Sequence, residues 1–206
     1  MLRFLYADEL ASFPRLERSM FLDRAAQFKE RLNWDVQVDG TGAEKDPYDA
    51  MNPFYVIWET EFGTHGGSMR FLPTTGDTMI NDHFLDLTDG VRIQSPFIWE
   101  CTRFCLAPSA APRVSAILML AGLETGLAAG LSHSVGVFDA RMVRIYRRLG
   151  WSPAVLGTTG SGADAISVGL WDFDAGYRPN LLRKAGLSSE VLRHWQSRGT
   201  DLRRAA

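Results

Sequence analysis

Two groups of residues early in the chain have types and spacing that suit the binding of a small charged molecule. The first group is basic and aromatic and recurs at helical spacing: Arg24, Phe28, Arg31 and Trp34. The second group is acidic and follows a connection that contains two glycines: Glu44, Asp46, Tyr48 and Asp49. A flexible acidic segment flanked by aromatic rings suits a cationic ligand with a flat ring system. S-adenosylmethionine, which carries an amine, a sulfonium and an adenine, is a ligand of this kind.

Residues 97–104 are predicted to form a strand that carries charged side chains among apolar ones. Regular alternation would point Glu100 and Thr102 toward one face of the sheet. Cys101 and Arg103 would then point toward the opposite face, unless a β-bulge shifts the register. Burying charged side chains in such a strand destabilises the fold unless they pair with opposite charges or bind a ligand.

Residue types alone leave two interpretations of the charged side chains open. One is a ligand site, and the other is an ion-pair network that only braces the fold. Both interpretations concern the same residues: Arg24, Arg70, Arg103, Asp46, Asp49 and Glu100.

Taken in order, these segments resemble the signature of the acyl-homoserine-lactone synthases, the quorum-sensing autoinducer synthases of bacteria. That family shares an Arg-x3-Phe, a Trp, a Glu-x-Asp-x-aromatic-Asp, an Arg-x-Leu-Pro, a downstream Phe and a Glu-x-x-Arg-aromatic. The matching residues are Arg24, Phe28, Trp34, Glu44, Asp46, Tyr48, Asp49, Arg70, Leu72, Pro73, Phe84, Glu100, Arg103 and Phe104. The match runs through the first half of the chain. Asp23 departs from it, because the family usually has an apolar residue before the Arg.

The resemblance implies that the amine of S-adenosylmethionine attacks the thioester of an acyl carrier protein or of coenzyme A. The homoserine carboxylate then displaces methylthioadenosine and closes a lactone. S-adenosylmethionine is thus expected as a substrate, and no cofactor is expected. The implied binding residues are Arg24, Phe28, Trp34, Asp46, Asp49, Phe84 and Thr102.

A catalytic base is required because an ammonium must lose a proton before it can attack. Glu100 is the first candidate, since a strand fixes its direction, and Asp46 is the second. A carboxylate-held water is a further possibility. Arg70 and Arg103 complete the expected catalytic group by holding the carboxylates in place.

The acyl chain needs an apolar pocket, for which the second half of the chain offers candidates. The predicted lining residues are Met119, Leu123, Gly136, Val137 and Met142. Many family members place a Thr near Gly136, so this pocket is expected to lack a hydroxyl donor. That difference favours an unsubstituted or 3-hydroxy chain over a 3-oxo chain. Tight helix packing is the alternative use of the Gly- and Ala-rich helix.

A basic helix face is predicted at Arg141, Arg144 and Arg148, which recur at i, i+3 and i+7. An acyl carrier protein is acidic, so this face could dock it through electrostatic steering. A solvated helix face with no partner is the other interpretation.

The elements that must position these residues alternate between helices and strands. Helices are predicted over 16–32, 78–85, 112–133, 140–149 and 190–204. Strands are predicted over 53–61, 68–72, 97–104, 135–138 and 165–173, with a loop over 39–53 and a turn at 65–67. This order predicts an α/β fold with a mixed sheet flanked by helices, similar to GNAT-like acyltransferases. A single domain over 1–206 is expected, with an S-adenosylmethionine-binding part at about 1–53 and an acyl-binding part at about 97–180.

Composition argues against several other classes of protein. A net charge of −2 gives no reason to expect a nucleic-acid partner. The two cysteines are too few for a disulfide framework and suit free thiols in a cytoplasmic protein. The apolar stretch 114–131 carries Glu124 and three glycines, which favours a buried helix over a membrane span. No His and Cys spacing suits zinc, so no metal site is expected.

Two other functions remain open on the sequence alone. One is a GNAT-type N-acetyltransferase that uses acetyl-CoA, although no Gln/Arg-x-x-Gly-x-Gly/Ala loop follows a central strand. The other is a non-catalytic ligand-sensing module, against which the intact charged residues argue. The sequence predicts no particular oligomeric state.

Overall fold

A computed structural model describes residues 1–197, and its strands form one seven-stranded sheet. The strands are β1 (Leu2–Tyr6), β2 (Phe54–Glu59), β3 (His65–Pro73), β4 (Ile98–Leu106), β5 (His133–Asp139), β6 (Ala154–Thr159) and β7 (Ile166–Asp172). Their order across the sheet is β1-β2-β3-β4-β5-β7-β6. Neighbouring strands are antiparallel except β4 and β5, which are parallel. The predicted mixed sheet is therefore confirmed.

Helices cover both faces of this sheet. They are α1 (Ala7–Leu10), α2 (Pro14–Ala25), α3 (Met79–His83), α4 (Val114–Ala128), α5 (Ala140–Leu149), α6 (Arg178–Ala185) and α7 (Ser189–Gln196). On one face, α2 buries Leu16 and Met20 against Tyr55 and Ile57 of β2. On the other face, α4 packs with α6 and covers the alternate residues of β2 and β3. Apolar burial of this kind is the main stabilising term of such a layered fold.

The apolar stretch predicted as a buried helix is α4, which is shorter than the predicted 112–133. Its Gly126 permits close packing, since a Cβ there would lie 2.1 Å from Cε1 of Phe173. Its acidic residue Glu124 is paired with Arg178 of α6. Among residues 1–197, no helix is long and apolar enough to cross a membrane.

Several predicted boundaries were wrong. The predicted helix 16–32 is observed as α2, which ends at Ala25, followed by a π-helix over Ala26–Arg31. A π-helix has a wider turn than an α-helix, and the spacing of apolar residues alone does not reveal it. The predicted turn at 65–67 is already part of β3, and the chain reverses at residues 60–64. The loop 39–53 contains a 3₁₀ turn over Pro47–Met51. The predicted helix 190–204 is observed as α7, and its residues from 198 onward lie outside the described part of the chain.

Four of the named strands and helices were not predicted from the sequence. β1 is a strand of five residues, and β6 is an edge strand with mostly exposed residues that lacks the apolar alternation of a half-buried strand. The other two are α1, which has four residues, and α6, which has eight residues of which two are buried.

The parallel pair β4 and β5 separates soon after it begins. The recorded pairs are Ile98 with His133, Trp99 with Ser134, and Glu100 with Val135. β4 then continues to Leu106 and β5 to Asp139, so the two strands diverge and leave a gap in the middle of the sheet.

A β-bulge in β4 decides which side chains face this gap. The register with β3 shifts between Ser68 and Arg70, and Arg103 has a φ of 53°. A non-glycine residue in this left-handed region is uncommon and marks a local distortion. The bulge turns Arg103 onto the same face as Thr102, which is the exception to regular alternation that the sequence analysis allowed.

Candidate active site

A buried network of three arginines and three carboxylates forms the base of the candidate site. Arg24, at the end of α2, donates from Nε to Glu44 at 2.5 Å. Its two terminal nitrogens donate to both oxygens of Asp49, at 2.8 and 2.9 Å. Such a bidentate contact fixes the plane of the carboxylate as well as its position.

The other two arginines extend this network toward the gap in the sheet. Arg70 of β3 forms a two-pronged contact with Asp46, at 2.5 and 3.0 Å, and donates to Thr102 at 3.0 Å. Arg103 contacts Glu44 at 2.9 Å and Asp46 at 2.8 Å. The bulge in β4 is what allows Arg103 to reach this network.

Contact between opposite charges keeps each side chain of the network ionised, although water is largely excluded. Burial alone would raise the pKa of Asp49, but Arg24 and Arg70 outweigh burial and hold that pKa below its ordinary value. Burial likewise opposes the charge on Arg24, yet Asp49 and Glu44 raise the pKa of the guanidinium. The ion-pair interpretation of Arg24, Arg70, Arg103, Asp46 and Asp49 thus describes real contacts.

Glu100 lies on the same face of the sheet but outside this ion-pair network. Its two carboxylate oxygens accept the backbone N–H groups of Met79, at 3.1 Å, and Ile80, at 2.6 Å, at the start of α3. Burial raises the pKa of Glu100 to about 7, although these N–H groups and Arg70 act in the opposite direction. A carboxyl group with such a pKa can take up and release a proton near neutral pH.

A cavity of about 910 Å³ passes through the gap between β4 and β5. On the α2 face its wall includes the stacked rings of Phe28 and Trp34, whose centroids are 5.2 Å apart. Arg103 lies 5.3 Å from the centroid of Phe28. Asp46, Phe84 and Thr102 also line this end.

The predicted binding and catalytic residues therefore divide into two sets. Those that line the cavity are Phe28, Trp34, Asp46, Phe84, Thr102 and Arg103. Those that lie behind it, in contact with lining residues or with one another, are the buried Arg24, Arg70 and Glu100 and also Asp49, whose side chain is 7% exposed. The second set can shape and charge the site without forming its surface.

The α4 face of the cavity contains most of the predicted acyl-pocket residues. Met119, Gly136 and Met142 line it, and Val137 lines it from the opposite face of the sheet, near Phe84. Leu123 of α4 does not line the cavity as predicted. Its side chain is fully buried in the core and lies outside the cavity wall that the structure describes. The helical pattern of α4 could not distinguish a core position from a wall position.

Gly136 lies at the point where β4 and β5 begin to separate. A Cβ at this position would be 2.9 Å from the carbonyl oxygen of Cys101. A larger residue such as Thr would therefore require the two strands to move apart.

Several lining residues were not singled out in the sequence. They are Met69, Phe71, Met79, His83, Tyr146, Trp171 and Phe173. Most are apolar residues whose pattern is that of ordinary core. His83 and Met79 could have been found only through their closeness to Phe84 in the chain.

The basic helix is α5, whose amino end is capped by Asp139 through the N–H groups of Arg141 and Met142. Arg141 and Arg148 lie at the cavity wall, whereas Arg144 is exposed on the helix surface. The predicted basic face therefore borders one mouth of the cavity.

The two cysteines are free thiols, as predicted. Burial raises the pKa of both Cys101 and Cys105 to about 12, so neither is a ready nucleophile. Within residues 1–197, no group of three or more His, Cys, Asp and Glu side chains could hold a metal ion.

Comparison with known proteins gives the family of this chain. Residues 10–176 match the model of the autoinducer synthase family. An acyl-homoserine-lactone synthase of Rhizobium etli is 42% identical over 182 residues, which cover 85% of each chain. One from Agrobacterium fabrum is 30% identical over 78% of this chain and 80% of its own. The chain belongs to the autoinducer synthase family, as its motifs predicted.

Solved structures support the same assignment at the level of the fold. The CoA-dependent acyl-homoserine lactone synthase MesI has a TM-score of 0.81 at 22% identity, with 92% of this chain and 97% of its own covered. The synthase LasI has a TM-score of 0.75 at 26% identity over 88% and 93%. A putative N-acetyltransferase from Lactobacillus plantarum has a TM-score of 0.56 at 13% identity over 84% and 99%, which agrees with the predicted GNAT-like fold.

Proposed function

We propose that this protein is an acyl-homoserine-lactone synthase that joins an acyl thioester to S-adenosylmethionine. The observation that carries the proposal is the cavity through the split sheet. One end has aromatic rings above a charged network, and the other end is lined mainly by apolar residues, with Arg141 and Arg148 at its mouth. A polar nucleoside and a fatty chain can thus meet at the gap between β4 and β5. Family membership favours this function over an acetyltransferase or a non-catalytic sensor.

S-adenosylmethionine would occupy the α2 face. Phe28 and Trp34 provide flat apolar surfaces for the adenosyl group, and their ring faces can attract the sulfonium through cation–π interactions. Asp46 lines the same space and offers negative charge to the ammonium. Arg24 and Arg70 would act from behind by holding Asp49 and Asp46 in fixed orientations.

The first chemical step forms an amide bond. The amine nitrogen attacks the thioester carbonyl carbon, the carbon–sulfur bond breaks, and the carrier thiol leaves with a proton. Glu100 is the preferred final acceptor for the ammonium proton, because its pKa of about 7 suits both protonation states. Since Glu100 lies behind the cavity wall, the proton would reach it through a water molecule. Backbone N–H groups of the diverging strands are suited to stabilise the carbonyl oxygen as it gains charge.

The second step closes the ring. A carboxylate oxygen of the homoserine portion attacks the carbon attached to sulfur, and methylthioadenosine leaves as a neutral thioether. Since a sulfonium is already a good leaving group, this step needs positioning more than further activation. S-adenosylmethionine is consumed as a substrate, and no cofactor is required.

Either an acyl carrier protein or coenzyme A could deliver the acyl chain. The MesI and BjaI structures are of CoA-dependent synthases, and one BjaI structure contains SAM and isopentyl-CoA. The exposed arginines of α5 favour a carrier protein here, since they border the cavity mouth and complement an acidic partner.

The direct test measures methylthioadenosine and acyl-homoserine lactone released by the purified protein with S-adenosylmethionine and a panel of acyl donors. We expect the two products in equal amounts. A protein that acylates some other amine with acetyl-CoA and leaves S-adenosylmethionine intact would contradict the proposal in favour of an acetyltransferase. Binding of S-adenosylmethionine without release of either product from any donor would favour the sensor.

A further inference from the structure

A chain of three hydrogen-bonding side chains lies beside the candidate site, between α2 and the beginning of β3. The imidazole of His65 contacts Asp23 Oδ2 through Nδ1 at 2.7 Å and Ser68 Oγ through Nε2 at 3.0 Å. The ring is fully buried, and Ser68 is nearly so. These contacts resemble those of a Ser-His-Asp triad, but neither His65 nor Ser68 lines the described cavity, so the serine has no path to a substrate.

Further contacts show that this chain joins two elements. The backbone N–H of His65 donates to Ser19 Oγ of α2 at 2.8 Å. The thiol of Cys105 on β4 lies 3.5 Å from the carbonyl oxygen of Asp23. The last turns of α2 are thus tied to β3 and β4 through buried polar contacts, which the low local polarity strengthens.

Asp23 immediately precedes Arg24, whose guanidinium holds Glu44 and Asp49. The π-helix that carries Phe28 begins two residues after Arg24. A displacement of α2 at Asp23 would therefore move both the arginine beneath the site and an aromatic wall of the cavity.

We propose that Asp23 and His65 are positioning residues, which hold the end of α2 in the orientation that S-adenosylmethionine binding requires. This inference rests on the proposed binding of S-adenosylmethionine at the α2 face. His65 would donate from Nδ1 to the Asp23 carboxylate and accept the Ser68 hydroxyl at Nε2, so that every member of the chain is satisfied. Burial also lowers the pKa of His65, which supports the neutral ring that this arrangement needs.

The test uses His65→Asn, which can place an amide N–H near the position of Nδ1, and His65→Gln, which can reach Ser68 but not Asp23. Asp23→Asn removes the charged acceptor. We expect His65→Gln and Asp23→Asn to raise the KM for S-adenosylmethionine by about tenfold, with the KM for the acyl donor unchanged. His65→Asn should recover most of this loss. His194→Asn, at an exposed position on α7, is the matched control and should behave as wild type.

Two results would overturn the proposal. One is an unchanged KM for S-adenosylmethionine in folded Asp23→Asn and His65→Gln proteins. The other is an equal loss for both substrates together with a lower unfolding temperature and no recovery in His65→Asn, which would indicate a purely structural role. If the wild-type protein binds S-adenosylmethionine but makes no product, the proposed function is contradicted and the positioning role is not. The affinity of the same variants for S-adenosylmethionine, measured by calorimetry, then tests the positioning role.

Discussion

At the scale of single residues, the site separates side chains that touch the cavity from side chains that act through others. Sequence motifs identified both groups together, because a motif records which residues occur and not which of them faces the ligand. Arg24 and Trp34 occur in the same pattern, yet Arg24 is buried within the ion-pair network and Trp34 lies on the cavity wall.

Glu100 is expected to act as the base, and its raised pKa makes this testable. Since the base must be ionised, kcat/KM should rise with pH until about 7 and then level off. Glu100→Gln should lower turnover by about 10²–10⁴-fold and abolish this pH dependence, while S-adenosylmethionine still binds. A variant that keeps turnover within a few-fold of wild type would leave Asp46 or water as the base.

Trp34→Ala should weaken the use of S-adenosylmethionine selectively, because the indole stacks on Phe28 at the cavity wall. We expect the KM for S-adenosylmethionine to rise about tenfold with little change for the acyl donor. Steady-state kinetics with each substrate varied in turn measures this. Phe62→Ala is the control, since Phe62 is 68% exposed. A higher KM for the acyl donor with an unchanged KM for S-adenosylmethionine would indicate that the nucleoside binds at the other end of the cavity.

At the scale of elements, the sequence predicted the long helices and central strands because their apolar periodicity is strong. It could not predict the bulge at Arg103, which depends on the pairing of β4 with β3 rather than on local preference. The divergence of β4 from β5 is likewise a property of two strands that are far apart in sequence. Both features decide the shape of the site.

The exposed face of α5 provides a prediction about the acyl donor. Arg144 and Arg147 are exposed and lie outside the described cavity wall, so Arg144→Glu with Arg147→Glu should change docking without changing the pocket. We expect kcat/KM to fall about tenfold with an acyl carrier protein and to stay nearly constant with acyl-CoA. The matched control is Arg183→Glu with Lys184→Glu on α6. An equal decrease with both donors would indicate a loss of stability instead.

At the scale of the whole molecule, the buried ion pairs tie α2, the segment after Asp39 and strands β3 and β4 to one another. Breaking such a pair from one side leaves a charge without a partner in a region of low polarity. The network is therefore also a determinant of stability, as the bracing interpretation of the sequence had suggested.

Arg24→Met should lower the free energy of unfolding by about 3–5 kcal/mol, because Glu44 and Asp49 lose their main partner. Arg3→Met is the matched control, since its pair with Glu59 is partly exposed and should contribute about 1 kcal/mol or less. Urea denaturation measures both. Equal effects would mean that the buried pairs add no stability beyond that of a surface pair.

Acid should unfold the wild-type protein partly through the same network. The pKa of Asp49 is lower in the folded state than its ordinary value of 3.8. Its contribution to stability is thus fully present above pH 3.8 and is lost as the pH falls through the folded-state pKa. Asp49→Asn should show a smaller loss of stability over this acidic range, and an unchanged pH dependence would contradict the role of Asp49.

The passage of the cavity through the sheet, rather than along its edge, has a consequence for inhibitor design. A nucleoside analogue bound beside Trp34 and a lipophilic compound bound beside Met119 would occupy opposite faces and need not exclude each other. Each should compete with one substrate alone. A single compound that crosses the gap would link two modest affinities through their high effective concentration, and so bind far more tightly than either half.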